Sequence, residues 1–224
     1  NTIHSVGGEK GKYSTRLKFP QPSPNLNVRW CSSYLKIDVC AAAIRNQERF
    51  NGLRTLVLSG ERGEESKQRA GYAILEPDKS DLRHGKKIVR YVDRYRPIRD
   101  WTERRIWDLL EKYRVKPHPC YFMGFGRCSC KFCIFGNANQ FASAACISHQ
   151  NFSQLVKFEK EFGYTLKRDT DLSTLIKKGV PYRDITPELA RLATSYQYNS
   201  DIFIPYTQQW ELPAGAFKKC GGPM

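Results

Sequence analysis

The amino-acid sequence predicts an α/β domain followed by a helical C-terminal part. Short β-rich segments alternate with helical patterns in the first half of the chain, and helical patterns continue through the second half. LRTLVLSG, residues 53–60, is an apolar run that stops at a glycine, as buried strands do. KKIVRYV, residues 86–92, is a second strand candidate. Alternating strands and helices favour a sheet covered by helices, which binds ligands at the carboxyl ends of its strands.

Each further element is predicted from its own residues. Three prolines within residues 16–29 predict an extended linker. The clearest helix spans 100–114, because Trp101 and Trp107 belong to its apolar face and Asp100 can cap it. The other predicted helices span 30–50, 64–72, 149–162, 171–178 and 186–195, and a loop rich in Pro, Gly and Cys spans 116–140.

The composition indicates a folded chain. Of the 224 residues, 40% are hydrophobic and 12% are aromatic, which is typical of globular proteins. The sequence contains no run of about 18 apolar residues and no secretory leader, so we expect no membrane span and a cytoplasmic location. The chain begins with Asn1 instead of Met, and we expect that a segment is missing upstream.

The formal net charge of +15 is unevenly distributed. Residues 83–116 hold twelve Lys and Arg against five Asp and Glu. Such a stretch is either a solvated face or a surface for an anionic partner, which is nucleic acid or a phosphorylated small molecule. No RNA-binding sheet motif or zinc-finger spacing accompanies it, so nucleic acid is the secondary hypothesis.

SGERGEESKQR, residues 59–69, is a candidate anion site. A strand that ends in glycine and leads into a helix presents backbone N–H groups to an anion. Arg62 and Arg69 can hold a phosphate or sulfate in a bidentate manner. Glu64 and Glu65 fall in the expected first helical turn, where carboxylates stabilise a helix without any ligand.

RWCSSYLK, residues 29–36, contributes one lysine. Lys36 lies one turn beyond Ser32, near the start of a predicted helix, where it could reach an anion bound nearby. Taken alone, this pattern favours a surface lysine and a buried Cys31.

The eight cysteines are too sparse for a secreted disulfide scaffold. Cys130 and Cys133 form a Cys-x2-Cys pair, which lets two thiolates face one ion, and Cys120 and Cys128 lie close enough to join them. Zinc and an iron–sulfur cluster both suit such donors, whereas the additional cysteines disfavour a simple redox dithiol. Buried cysteines without a metal are the remaining alternative.

Four segments in this order resemble the phosphoadenosine phosphosulfate reductase family: RWCSSYLK, SGERGEES followed by Arg69, the helix containing IWDLL, and GRCSCKFCIFG. The resemblance covers residues 29–136 and includes DNA phosphorothioation sulfurtransferase-like relatives. It implies a Rossmann-like, doubly wound parallel sheet of the adenine-nucleotide α-hydrolase type. The Ser-Gly-Gly-x-Asp-Ser phosphate turn of the family is absent, so we expect the chain to lack its first βα unit.

The resemblance also implies site residues. The nucleotide, ATP or a phosphosulfate, would contact Lys36, Arg62, Ser66 and Arg69. Some relatives hold a four-iron (4Fe-4S) cluster, which implies as ligands Cys31, Cys120, Cys130 and Cys133, with Cys128 as an alternative and zinc as the alternative metal. The catalytic residue is unknown, and Cys220 in KKCGGPM is a candidate that lacks the Glu and His of the family's nucleophile segment.

We therefore predict an enzyme of sulfur transfer or sulfonucleotide reduction. Its predicted parts are an extended N-terminal segment 1–28, a nucleotide- and cluster-binding domain 29–145, and a helical extension 146–224. Nucleic acid would contact the basic stretch 83–116. The alternative hypothesis is a zinc-stabilised nucleic-acid-binding module without catalysis.

Overall fold

Strands and helices alternate along the first half of the chain, and a series of helices follows. The computed structural model describes residues 18–197 and 201–218, together with the backbone of residues 3–4 and 13–14. The described residues form two units. Unit 1 contains the two N-terminal backbone segments and residues 22–102, and unit 2 contains residues 18–21, 103–197 and 201–218. The mixed α/β architecture is the predicted fold class.

Unit 1 combines short strands with short helices. Its strands are β1 (Ile3–His4), β2 (Tyr13–Ser14), β3 (Arg54–Leu58), β4 (Leu75–Pro77) and β5 (Tyr91–Tyr95). Its helices are α1 (Trp30–Ser32), α2 (Asp38–Arg45) and α3 (Lys67–Ala70), with a π-helical turn at Ser33–Ile37 and 3₁₀ turns at Glu48–Phe50 and Gly63–Glu65.

The three-stranded sheet of unit 1 has the order β3-β5-β4. β3 and β5 are parallel, with Arg54 opposite Tyr91 and Leu58 opposite Tyr95. β4 is antiparallel to β5, and β1 pairs with β2 in a separate antiparallel ladder. Within the described residues this gives one parallel pair. The doubly wound sheet and the missing first βα unit stay predictions.

The second predicted strand begins at Tyr91 instead of Lys86. Leu82 and Arg90 form an isolated antiparallel bridge, in which the Leu82 N–H donates to the Arg90 carbonyl at 2.8 Å. This bridge closes a loop that contains the β-rich residues Lys86 to Val89. They lie outside the sheet because the residues on either side of them pair with each other.

Two buried arginines link the elements of unit 1. Arg90 and Arg96 are only 5% and 4% exposed. Arg90 donates to the carbonyls of Ser80 and Arg45 and to the side chain of Asn51. These bonds join the end of α2 to the chain before β5, and they satisfy a guanidinium whose burial would otherwise be costly.

Asp78 is a buried carboxylate beside the same sheet. It accepts hydrogen bonds from the Ser80 amide and hydroxyl and from the Arg94 guanidinium. Burial alone would raise the pKa of Asp78, but the hydrogen bonds from Ser80 and Arg94 outweigh it and hold this pKa below its ordinary value.

Unit 2 is helical. Its helices are α4 (Glu103–Lys112), α5 (Pro119–Phe122), α6 (Ala138–Ile147), α7 (His149–Phe162), α8 (Leu172–Lys177) and α9 (Pro187–Thr194). Its most buried apolar side chains are Met123, Phe141, Ala144, Phe152, Leu166 and Leu172. In the described part of the chain, no helix combines the length and apolar character that a membrane span requires.

The helices predicted over 149–162, 171–178 and 186–195 are confirmed as α7, α8 and α9. Helix α6 was not predicted. An Asn137–Gln140 capping box starts it, but residues on most of its sides are buried, among them Phe141, Ser143 and Ala144. A helix covered in this way lacks the polar face that produces a helical period in sequence.

The C-terminal strap, residues 201–218, crosses unit 2 without helical structure. The Lys116 N–H donates to the Ile202 carbonyl at 2.7 Å, and the Ile204 N–H donates to the Arg114 carbonyl at 2.8 Å. Arg114 has a positive φ of 55°, and its side chain donates to the carbonyls of Ile204, Pro205 and Gln208. The strap is therefore fixed beside the segment between α4 and α5.

Asp81 provides a test of the network in unit 1. Its carboxylate accepts from the Arg83 side chain at 2.9 Å and from the Val92 N–H at 2.8 Å. The Arg83 hydrogen bond is the main reason that the pKa of Asp81 falls from 3.8 to about 2. Because the folded pKa lies below the unfolded one, this stabilisation is complete above pH 4 and is lost as the pH falls toward 2.

We expect Asp81→Asn to lower the free energy of unfolding by about 1 kcal/mol near pH 6, and by much less near pH 2. Urea unfolding at several pH values measures this difference. Asp184→Asn, which changes an exposed carboxylate of unit 2, is the matched control. An equal deficit of Asp81→Asn at both pH values would contradict the electrostatic explanation.

Candidate functional site

The arginine loop, residues 59–69, joins β3 to α3 in unit 1. The Ser66 hydroxyl caps α3 by accepting the Arg69 N–H at 3.3 Å. The helix predicted over 64–72 is shortened to 4 residues, because Ser66 is extended between the 3₁₀ turn and α3. So short a helix has a small dipole, so an anion at this loop would have to be bound mainly by side chains.

Two arginine side chains of the loop converge on one carboxylate. Arg62 Nε lies 3.4 Å from Glu65 Oε1, and Arg69 Nη1 pairs with Glu65 Oε2. Arg62 Nη1 also contacts Glu64 Oε2 at 2.7 Å. The side chains of Arg62 and Arg69 are 15% and 26% exposed, so both are partly buried.

Arg96 fixes the start of the arginine loop. Its Nε donates to Glu61 Oε2 at 2.6 Å and its Nη2 donates to Glu76 Oε1 at 2.7 Å. Glu61 also accepts the Ser59 hydroxyl at 3.1 Å. Because Arg96 is buried, the two carboxylates compensate a charge that would otherwise be unpaired. The loop is thereby tied to β4 and to the end of β5.

The other site residues predicted for unit 1 lie on the helical segment that starts at Trp30. Cys31 is half-buried in α1. Lys36 is exposed in the π-helical turn that follows. Lys36 belongs to unit 1, as do Arg62, Ser66 and Arg69.

The thiol cavity is the second candidate site and belongs to unit 2. It is lined by four cysteines and by neighbouring cationic and polar side chains: Cys120, Cys128, Cys130, Cys133, His118, Arg127 and Lys131. Every predicted metal ligand of unit 2 therefore lines this one cavity, although Cys130 and Cys133 are outside the group of described side chains whose ligand atoms lie within 4.8 Å of one another. Cys31 belongs to unit 1, and Cys220 lies outside the described residues.

Three side chains of the thiol cavity are closest together. One ligand atom from each of His118, Cys120 and Cys128 lies within 4.8 Å of the other two. His118 and Cys128 are exposed, and Cys120 is half-buried. His118 was missed by the sequence analysis, which considered thiols alone. The signal for it was the spacing His-Pro-Cys at 118–120.

The protein frame positions Cys128 through Tyr121. The Cys128 N–H donates to the Tyr121 hydroxyl at 3.2 Å. The Tyr121 ring packs edge-on against Trp107, with 5.2 Å between ring centroids. Trp107 in turn donates from Nε1 to Glu103 Oε1 at 3.1 Å. Trp107 of helix α4 therefore packs against Tyr121, whose hydroxyl orients the Cys128 backbone.

Two titratable groups respond to this environment. The hydrogen bond with Cys128 and burial of the thiol raise the pKa of Cys120 well above its ordinary value. Burial lowers the pKa of Lys167, whose Nζ donates to the carbonyls of Ile134 and Gly136 at 2.6 and 2.5 Å. Lys167 therefore holds the backbone that follows Cys133.

The basic stretch 83–116 supplies many internal contacts. Several of its arginines pair with carboxylates of unit 1: Arg83 with Asp81 and Asp93, Arg94 with Asp78, Arg96 with Glu61 and Glu76, and Arg99 with Asp100. Arg90 is buried among carbonyl groups. A nucleic-acid partner for this stretch stays a prediction.

Comparison with known proteins gives a family. The family model of the phosphoadenosine phosphosulfate reductase domain matches residues 9–135, which include the arginine loop and all four cysteines of the thiol cavity.

The uncharacterized 37.8 kDa protein in the gpa 5′ region of Escherichia phage 186 is 26% identical over 141 residues, which are 61% of this chain and 39% of that protein. The chain thus spans well under half of this relative. No solved structure matches. Because the family model covers more than half of its residues, the chain belongs to the phosphoadenosine phosphosulfate reductase family.

Proposed function

We propose that the chain binds an adenine nucleotide or sulfonucleotide through the arginine loop and takes part in sulfur transfer or sulfonucleotide reduction. The observation that carries this proposal is the convergence of Arg62 and Arg69 on the Glu65 carboxylate. Family membership gives the nucleotide class, and the loop supplies the charge that such a ligand needs.

The Glu65 carboxylate stands where an oxyanion of a ligand would bind. Guanidinium groups bind carboxylate, phosphate and sulfate through the same parallel N–H donors. Two of these groups within reach of one carboxylate can therefore share a phosphate or sulfate once Glu65 moves aside. Lys36 would add a third cation from the π-helical turn.

Ser66 has a more limited role in this proposal. Its hydroxyl oxygen accepts the Arg69 N–H, so it orients the backbone that carries one of the two guanidinium groups. The Ser66 O–H proton remains available to a ligand oxygen.

The sulfur chemistry would involve the thiol cavity. Transfer or reduction at sulfur requires a nucleophilic thiolate or a thiolate-bound metal, and the cavity offers four thiols beside Arg127 and Lys131. Thiolate donors fit both an iron–sulfur cluster and zinc. Such a centre would supply redox or structural chemistry, and Arg127 and Lys131 would offset the charge of its thiolates. Cys220 remains the candidate nucleophile.

We expect Arg62→Ala to weaken binding of ATP, adenylyl sulfate and the phosphosulfate by about 10-fold or more, because a charge-assisted hydrogen bond to the anion is lost. Isothermal titration calorimetry measures this change. Arg49→Ala, which removes an exposed arginine of unit 1 outside the loop, should bind these ligands as the wild type does. Equal weakening by both variants would show that nucleotide binding responds to the net charge of the protein and not to Arg62 in particular.

Glu65→Gln should have the opposite effect. The substitution keeps the size of the side chain but removes the carboxylate that competes for Arg62 and Arg69. We expect binding of the same nucleotides to become about 2- to 5-fold tighter, since exposed ion pairs contribute less than about 1 kcal/mol. Weaker binding in the same calorimetric titration would show that Glu65 supports the site and does not compete for it.

A further inference from the structure

We propose that His118, Cys120 and Cys128 bind a single soft divalent cation, of which Zn²⁺ is the representative. This ligand set lies wholly in unit 2. It differs from the cysteine set that the family resemblance implies, because it contains an imidazole and needs no residue of unit 1. The site goes beyond the proposed nucleotide function and does not depend on it.

The spacing of the three side chains suits one ion. Zinc binds thiolate sulfur at about 2.3 Å and imidazole nitrogen at about 2.0–2.1 Å, so two ligands of one zinc ion are at most about 4.6 Å apart. The ligand atoms of the triad lie within 4.8 Å of one another. In a tetrahedral site the ligand atoms are about 3.5–3.8 Å apart, so the three side chains would have to move together by up to about 1 Å, and a fourth ligand such as water would fill the remaining position.

A four-iron cluster would require a wider arrangement. Each of its cysteine ligands binds a different iron atom, so the sulfur atoms surround a cluster and not a single ion. The ligand atoms of Cys120 and Cys128 lie within 4.8 Å of each other, which suits two ligands of a single ion. Two thiolates and one imidazole are also a donor set that zinc favours.

Contacts within the protein itself position His118, Cys120 and Cys128. Pro119 is buried and follows His118 at the start of α5, where it limits the backbone freedom of His118. Tyr121 orients the backbone of Cys128 through the 3.2 Å hydrogen bond described above. Metal sites depend on such surrounding contacts for affinity.

The His118 imidazole already has a function that the metal would replace. Its Nδ1 accepts the Cys120 N–H at 3.2 Å and caps α5. If Nδ1 bound the ion, its lone pair would be used; if Nε2 bound the ion, Nδ1 would carry the proton. In either case the Cys120 N–H loses its acceptor. Metal binding is therefore expected to change the environment of the Cys120 amide.

The test uses the full chain, reduced and freed of metal with a chelator under anaerobic conditions. Titration with Co²⁺ should give one ion per chain and a thiolate-to-cobalt absorption band, and Zn²⁺ should displace the Co²⁺. We expect His118→Asn and Cys128→Ser each to weaken Zn²⁺ binding by about 100-fold. Asn preserves a helix cap at position 118, so circular dichroism should show an intact fold.

Two further variants sharpen the result. Cys146→Ser changes an exposed cysteine of α6 outside the thiol cavity and should bind Zn²⁺ as the wild type does. Tyr121→Phe keeps all three ligands but removes the hydroxyl that orients Cys128, and should weaken binding by about 10-fold. In amide exchange, Zn²⁺ should alter the Cys120 N–H in the wild type but not in His118→Asn.

The proposal is overturned if His118→Asn binds Zn²⁺ as tightly as the wild type. It is also overturned if Cys130→Ser and Cys133→Ser abolish binding while His118→Asn retains it, or if the purified chain holds iron and sulfide in cluster amounts. Nucleotide titrations of His118→Asn separate the two proposals. Unchanged nucleotide affinity with lost Zn²⁺ binding supports two independent sites.

Discussion

The pairing of buried arginines is the constraint on which unit 1 depends. A guanidinium cannot lose its charge, so burying one requires carboxylates or carbonyl groups around it. Arg96, which is 4% exposed, binds Glu61 at the start of the arginine loop and Glu76 in β4. The small sheet and the start of the candidate anion site are therefore positioned by the same side chain.

This constraint explains why the positive charge of residues 83–116 is weak evidence for an anionic partner. A count of Lys and Arg in residues 83–116 cannot separate cations that face a partner from cations that face the protein. The carboxylates that decide the matter are distant along the chain: Glu61 lies 35 residues before Arg96, and Asp78 lies 16 residues before Arg94. Only the folded arrangement of β4 and β5 brings these charges together.

The same distinction separates what the sequence could predict from what it could not. Helices α4 and α7 and strand β3 were predicted because one face or one run of each is apolar, a local property. The predicted burial of β3 was wrong, since Leu56 and Leu58 are 55% and 66% exposed. Helix α6 and the start of β5 were not predicted, because burial on most sides and a bridge between Leu82 and Arg90 are set by tertiary contacts. At the sites, Arg62 and Arg69 belong to one short loop and could be predicted together. His118 is marked in sequence only by its position two residues before Cys120, and the fold is what brings it close to Cys128.

The two candidate sites use donors that do not compete. Guanidinium groups bind oxyanions and cannot coordinate a metal, because they have no lone pair to offer. Thiolates and imidazole bind soft cations, and a negatively charged thiolate repels phosphate. A nucleotide should therefore not compete with the metal for the side chains of His118, Cys120 and Cys128. The metal should likewise not bind the arginine loop. Since the family match spans residues 9–135, it includes both donor sets, although the compact units divide between Thr102 and Glu103. The matched segment thus contains the residues of both proposed sites, which can be tested independently.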